Sequence, residues 1–169
     1  MPIRPILTYP HPVLRQKAAQ VTNFDEALKT LVADMGETMF AAPGVGLAAN
    51  QIGVPLQVIV VDRSTPGHRD FMALINPVIS NGQGSVFDEE GCLSVKECLA
   101  KVKRFQKIHV TAQDVDGSPF AFDAENRFAR IIQHEVDHLL GKLFIDHISP
   151  LKRSLYKKKL KKMLEMEEI

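Results

Sequence analysis

The segment "IIQHEVDHLLG" spans residues 131–141 and sets His134, Glu135 and His138 in the order HExxH. On a helix, positions four apart lie one above the other on the same face, so the two imidazoles can meet a single metal ion. Glu135 then stands within reach of a water in the ion's open position, as in metal-dependent hydrolases whose carboxylate is the general base. The competing reading is an ordinary helix with charged residues on its solvated face. The flanking Ile131, Ile132, Leu139 and Leu140 speak against it, because they make this a core helix. A cluster of His and Glu among apolar side chains is costly unless something satisfies it.

Two imidazoles hold a catalytic ion poorly, so a third ligand is needed from elsewhere in the chain. An extended zincin would carry a His six residues after His138, but Phe144 occupies that position, although Gly141 fits the pattern. A thermolysin-like site would take a Glu from a later helix, and the candidates Glu165, Glu167 and Glu168 lie in a charged terminus unsuited to a buried ligand. Cys92, in "EEGCLS", offers a thiolate suited to zinc or iron(II), with Gly91 beside it to let the backbone approach closely. Cys98, in "KECLAK", has no such setting. A lone Cys is by itself better read as a small buried hydrophobe. Residue types alone therefore leave the third ligand open.

The rest of the chain has to position these groups. Its 169 residues, 45% hydrophobic and 24% charged, fit one compact domain with a real core. Apolar runs are too short to span a bilayer, and prolines break "MPIRPILTYPHP" where a signal peptide needs an apolar stretch. The sequence reads as a cytoplasmic protein with no membrane partner, and two cysteines argue against a disulfide framework. Phe24, Leu28, Leu31, Val32, Met35 and Met39 recur at helical spacing and predict an amphipathic helix that stops at Pro43. Strands are predicted at "VPLQVIVVD", "FMALINP", "SVFDEEGCLS", "KIHVTAQDVDG" and "SPFAFDA", with Asp116 and Gly117 marking a hairpin turn. The HExxH helix follows, closed by Gly141, and a last helix begins at Ser149 and Pro150. Strands in the middle and helices at both ends imply an α+β fold: mixed, mainly antiparallel sheets packed around a central HExxH helix, with an N-terminal and a C-terminal helix. Gly44, Gly46 and Ala49 match a dinucleotide fingerprint formally, but a helix precedes them and a strand follows, the reverse of what phosphate binding requires.

"GVGLAANQIG", "EGCLSV" and "QHEVDHLLG" stand in the order and approximate spacing of the three signature segments of the peptide deformylases, which the chain resembles; "YPHPVLR" and "LINP" also look like family segments. The resemblance implies a metal-dependent amide hydrolase that removes the formyl group from the N-terminal Met of new proteins, acting on N-formylmethionyl peptides and releasing formate. It implies Cys92, His134 and His138 as metal ligands, holding one divalent ion, iron(II) (Fe2+) first and zinc (Zn2+), nickel (Ni2+) or cobalt (Co2+) as alternatives. It implies Glu135 as the proton carrier, with the Gln51 amide and the Leu93 backbone N–H as oxyanion donors. It further implies Val45, Gly46, Gly91 and Arg127 along the substrate, and a Glu90–Arg104 pair that orients the ligand strand.

The chain departs from the family pattern at Lys96, where Pro is usual, at Leu99, where some members carry an Arg, and at Asn126 and Arg127, where Gly and Leu are common. These bear on peptide preference rather than on reaction type. Residues 1–150 form the expected catalytic domain and 151–169 its basic C-terminal helix and tail, where seven Lys or Arg meet three Glu for a local charge of +4. This tail is a candidate contact to the ribosome, against the plainer reading of a solvated helix face. A monomer is expected. The rival readings are another HExxH metallopeptidase, which lacks its later ligand here, and a non-catalytic metal staple, which would want a fourth protein ligand such as His147.

Overall fold

Val58, Val60 and Ile59, Val61 point to opposite faces of one strand, and all four are fully buried, so the sheet that contains them is covered on both sides. The computed structural model describes residues 3–167. Its elements run α1 (Glu26–Ala41), β1 (Gly46–Ala48), β2 (Val58–Asp62), β3 (Phe71–Gln83), β4 (Val86–Cys92), β5 (Val95–Arg104), β6 (Lys107–Gln113), β7 (Pro119–Glu125), α2 (Asn126–Leu139) and α3 (Pro150–Glu167). Short 3-10 turns lie at Pro12–Arg15, Ala49–Ile52 and Phe144–His147. Strands β1-β2-β3-β6-β7 form one sheet in that order and β4-β5 a second, with every pair antiparallel.

Helix α1 starts where Asp25 accepts the Leu28 N–H at 3.1 Å, and it packs Leu28, Leu31, Val32, Met35 and Met39 against Val58, Val60 and Ile75. Each such side chain contributes about 1.5–3 kcal/mol by burial. The opposite face of the sheet, with Ile59, Val61, Leu74, Ile108 and Val110, receives Ala129, Ile132 and Leu139 of α2. Helix α2, which carries His134 and His138, thus packs on this face of the main sheet, and the fold is α+β. The β4-β5 hairpin makes a third cluster, in which Val95 and Val102 pack with Leu143, Phe144, and Tyr156 and Leu160 of α3.

Three elements differ from the sequence expectation. Strand β5 was not predicted, because its buried residues Val95, Cys98 and Val102 fall out of the alternating phase. The cause is a bulge in which Glu97 takes φ +52°, shifting inward positions from odd to even numbers. Strand β3 continues past Pro77, which is tolerated at a register shift where Asn76, φ +52°, bonds the backbone of Val21 instead. The glycine-rich segment, which carries no predicted element, forms a short strand, β1, and a 3-10 turn.

The ends of α2 are set by backbone requirements. Asn126 enters at φ +56°, a left-handed conformation open to Gly and Asn, which accounts for Asn at a position where the resemblance implies Gly. Gly141, φ +75°, follows the last turn, and a Cβ there would meet the Arg15 carbonyl at 2.5 Å.

Candidate active site

Arg127, Ile131, His134 and His138 recur at helical spacing on α2 and therefore share one face. The first three line a cavity of about 470 Å³, whose other walls come from Val45 and Gly46 before and on β1, Glu90, Gly91 and Cys92 at the end of β4, and Leu93 in the hairpin turn. His138 lies one turn deeper, fully buried. One atom each of Cys92, His134 and His138 lies within 4.8 Å of the others, and Cys92 Sγ stands 3.4 Å from His138 Nε2. A tetrahedral ion with bonds of about 2.3 Å to sulfur and about 2.0–2.1 Å to nitrogen would separate S and N ligands by roughly 3.5 Å, so the donors fit one.

The orientation of His134 is set from behind. Its Nδ1 meets Glu90 Oε1 at 3.0 Å, leaving Nε2 to face the cavity. Glu90 is gripped in turn by Arg104, whose Nε and Nη2 donate to its two oxygens at 2.9 Å each. Arg104 also donates to Asp137 at 2.6 Å, and Asp137 meets His147 at 2.8 Å. Burial alone would raise the Glu90 carboxyl, but Arg104 and His134 hold it at about 2. His134 is raised although burial opposes its charge, because Cys92 and Glu90 face it, so a proton and a metal ion compete for this ring. Burial lowers His138, keeping it neutral.

Glu135 sits beside these donors with its Oε1 4.0 Å from His138 Nε2, buried and without a hydrogen-bond partner among the described residues. Burial pushes its carboxyl up to about 7, where it can both take and return a proton near neutral pH. Gly46 lies against it so closely that a Cβ would be 2.6 Å from Glu135 Oε2, which explains a glycine in β1 better than any turn does. Gln51 closes the site: its Oε1 accepts from the Ala48 N–H at 2.9 Å, and its Nε2 lies 3.0 Å from Ser94 Oγ and 3.8 Å from Cys92 Sγ.

The structure brings together every predicted site residue: Cys92, His134 and His138 as a donor cluster, with Glu135, Gln51, Leu93, Val45, Gly46, Gly91 and Arg127 on the same cavity. Glu90 and Arg104 form the predicted pair. Lys96 and Leu99 do not line the cavity, contrary to the expectation that they face substrate; they belong to the β5 bulge, where the Lys96 carbonyl accepts from Tyr156 and Leu99 lies over Gly91. His147 is engaged by Asp137 and stands outside the donor cluster. Phe144, in the place of a third zincin His, is buried and stacks on His134 with centroids 6.1 Å apart. Glu165 and Glu167 are exposed on α3, and Glu168 lies outside the described residues.

Sequence reasoning passed over Arg130, Ser94 and Asp137. Arg130 lines the cavity and reaches Asp88 on β4 at 3.6 Å; helical spacing from Arg127 and His134 was the available signal. Ser94 and Asp137 carried no signal beyond lying inside the motifs.

The sequence model of the polypeptide deformylase family matches residues 3–154. A peptide deformylase of Desulfotalea psychrophila is 53% identical over 164 residues, covering 96% of this chain and 97% of that one, and one of Syntrophobacter fumaroxidans is 50% identical, covering 98% of each. Among solved structures, a peptide deformylase from Legionella pneumophila is similar with a TM-score of 0.91 and 44% identity, covering 99% of this chain and 98% of that one.

Proposed function

The chain belongs to the polypeptide deformylase family, metal-dependent hydrolases that remove the N-formyl group from new polypeptides, and we propose that it does so with Cys92, His134 and His138 as metal ligands and Glu135 as proton carrier. The observation that carries this assignment of roles is the donor cluster within 4.8 Å beside a buried carboxylate that has a free oxygen. An ion held there would supply Lewis acidity, making hydroxide available near neutral pH and polarising the formyl carbonyl. Iron(II) is the proposed ion, with zinc, nickel or cobalt able to substitute, since one thiolate and two imidazoles accept several divalent metals.

The protein groups then divide the work. The substrate's N-terminal segment lies along β1 and the end of β4, where Gly46 and Gly91 admit a backbone and Val45 and Arg127 border the Met side chain. Glu135 takes a proton from the attacking water and returns it to the departing amine nitrogen. Charge developing on the formyl oxygen is met by a Gln51 Nε2–H and the Leu93 backbone N–H, donors fixed before the reaction begins. Glu90 and Arg104 keep the His134 ring in its ligating orientation.

The natural substrate class is N-formylmethionyl peptides, met in the cytoplasm by a monomeric enzyme. Among the described residues no helix is long and apolar enough to cross a membrane. Helix α3 buries only Tyr156 and Leu160 and leaves most of its cations exposed, which supports a second, polyanionic contact such as the ribosome; that association should weaken steeply with salt. The deciding experiment is Glu135→Ala, assayed for metal content and for formate release from a formyl-Met peptide. Metal should stay stoichiometric while turnover is lost. Loss of the metal from this variant overturns the division of roles.

A further inference from the structure

Gln51 stands on the 3-10 turn after β1, whereas Cys92 and Leu93 belong to the β4-β5 hairpin of the other sheet, so something has to hold the amide in register with them. Its oxygen is identified by the Ala48 N–H, which can only donate. Nε2 therefore faces the hairpin with two hydrogens. One is taken by Ser94 Oγ at 3.0 Å, and Ser94 is completely buried in the turn two residues after Cys92. The other is directed at Cys92 Sγ, 3.8 Å from Nε2, on the cavity side of the turn. The two backbones are also tied together from behind: the Leu7 N–H donates to the Gln51 carbonyl and the Tyr9 N–H to the Ser94 carbonyl, both at 2.7 Å. The N-terminal segment thus spans the seam between the sheets at the place where Gln51 and Ser94 meet.

We infer that Ser94 is a positioning residue for deformylation: its buried hydroxyl, braced by Leu7 and Tyr9, takes one Nε2–H of Gln51 and thereby directs the other at the formyl oxygen. The inference rests on the reading of Gln51 as an oxyanion donor. The terminal amide torsion of a Gln is broad, so two partners are needed to define it. With the Ala48 contact alone, the amide swings about its oxygen, and the free N–H leaves the line to the substrate. Ser94 touches neither substrate nor metal ligand in this role and acts only through Gln51.

The test is a cycle of Ser94→Ala, Gln51→Ala and the double variant, with kcat, KM, metal content and melting temperature measured for each. Removing an oxyanion donor lowers kcat by roughly 100- to 1,000-fold, and losing the hydrogen bond that aims it should lower kcat by about tenfold. KM and metal content should hold in Ser94→Ala, and the substitution should cost nothing further once Gln51 is gone. A second readout uses the parent protein without metal: one of the two Gln51 side-chain N–H signals should exchange slowly with solvent, and in Ser94→Ala this protection should disappear. Equal losses from Ser94→Ala with and without Gln51, or two unprotected N–H signals in the parent, overturn the positioning role. So does a large effect of Gln51→Ala beside none of Ser94→Ala, whereas an unchanged kcat in Gln51→Ala overturns the reading of Gln51 itself and the inference with it.

Discussion

Gly46→Ala perturbs the placement of the proton carrier without touching any proposed metal ligand. A Cβ built at this position lies 2.6 Å from Glu135 Oε2, 2.9 Å from Cγ and 3.0 Å from Cδ. Three atoms of one side chain are crowded, so rotating the terminal carboxylate does not relieve the contact. Reaching ordinary contact at 3.4 Å moves the carboxylate oxygen by about 0.8 Å, and misplacement on the order of 1 Å can cost roughly 100-fold in rate. Glu135 is buried except where it faces the cavity, so the displaced carboxylate shifts relative to the site where the substrate reacts. We expect kcat for formate release from a formyl-Met peptide to fall by about 10- to 100-fold, with metal content unchanged, because the three atoms nearest the added Cβ all belong to Glu135 and none to Cys92, His134 or His138. Turnover within twofold of the parent would refute the argument. Loss of the metal would show that the methyl group disturbs the whole site rather than Glu135.

Cys92→Ala should abolish stoichiometric metal binding, whereas Cys98→Ala, which removes a buried sulfur packed with Val95 and Val102, should retain the metal; equal losses would reopen the ligand assignment. Glu90→Gln removes the carboxylate between Arg104 and His134 and should weaken metal affinity by about 10- to 100-fold in a chelator competition, with unchanged affinity counting against the proposed orienting role. Asp146 concerns stability rather than catalysis: burial alone would raise its carboxyl, but Arg15 at 2.6 Å and the Leu143 N–H at 3.0 Å hold it below the ordinary 3.8. A depressed folded value means that this stabilisation is present above the unfolded value and is lost as pH falls through the folded one. The melting-temperature gap between the parent and Asp146→Asn should therefore be full at neutral pH and close in acid; a gap that widens on acidification contradicts the sign.

What could be read along the chain was whatever depends on neighbours a few residues apart. Helix α1, the stripe that carries His134 and His138, the hairpin turn at Gly117 and the closure of α2 at Gly141 all follow from local period and backbone preference. The motif resemblance supplied the residues of the site, including a ligand that composition and spacing had left open. Strand β5 escaped because a single left-handed residue, Glu97, changes the phase of burial within one strand, and a fixed-period reading has no means of registering it. Periodicity says which face of an element is apolar, but not which other face it will meet. That Cys92 lies against His138, that Phe144 stacks on His134, that Arg104 links Glu90 to Asp137, and that Ser94 holds Gln51 across two sheets are contacts between residues far apart in sequence. Only the packing of the whole chain selects them, because each becomes favourable only once the intervening elements have closed the distance.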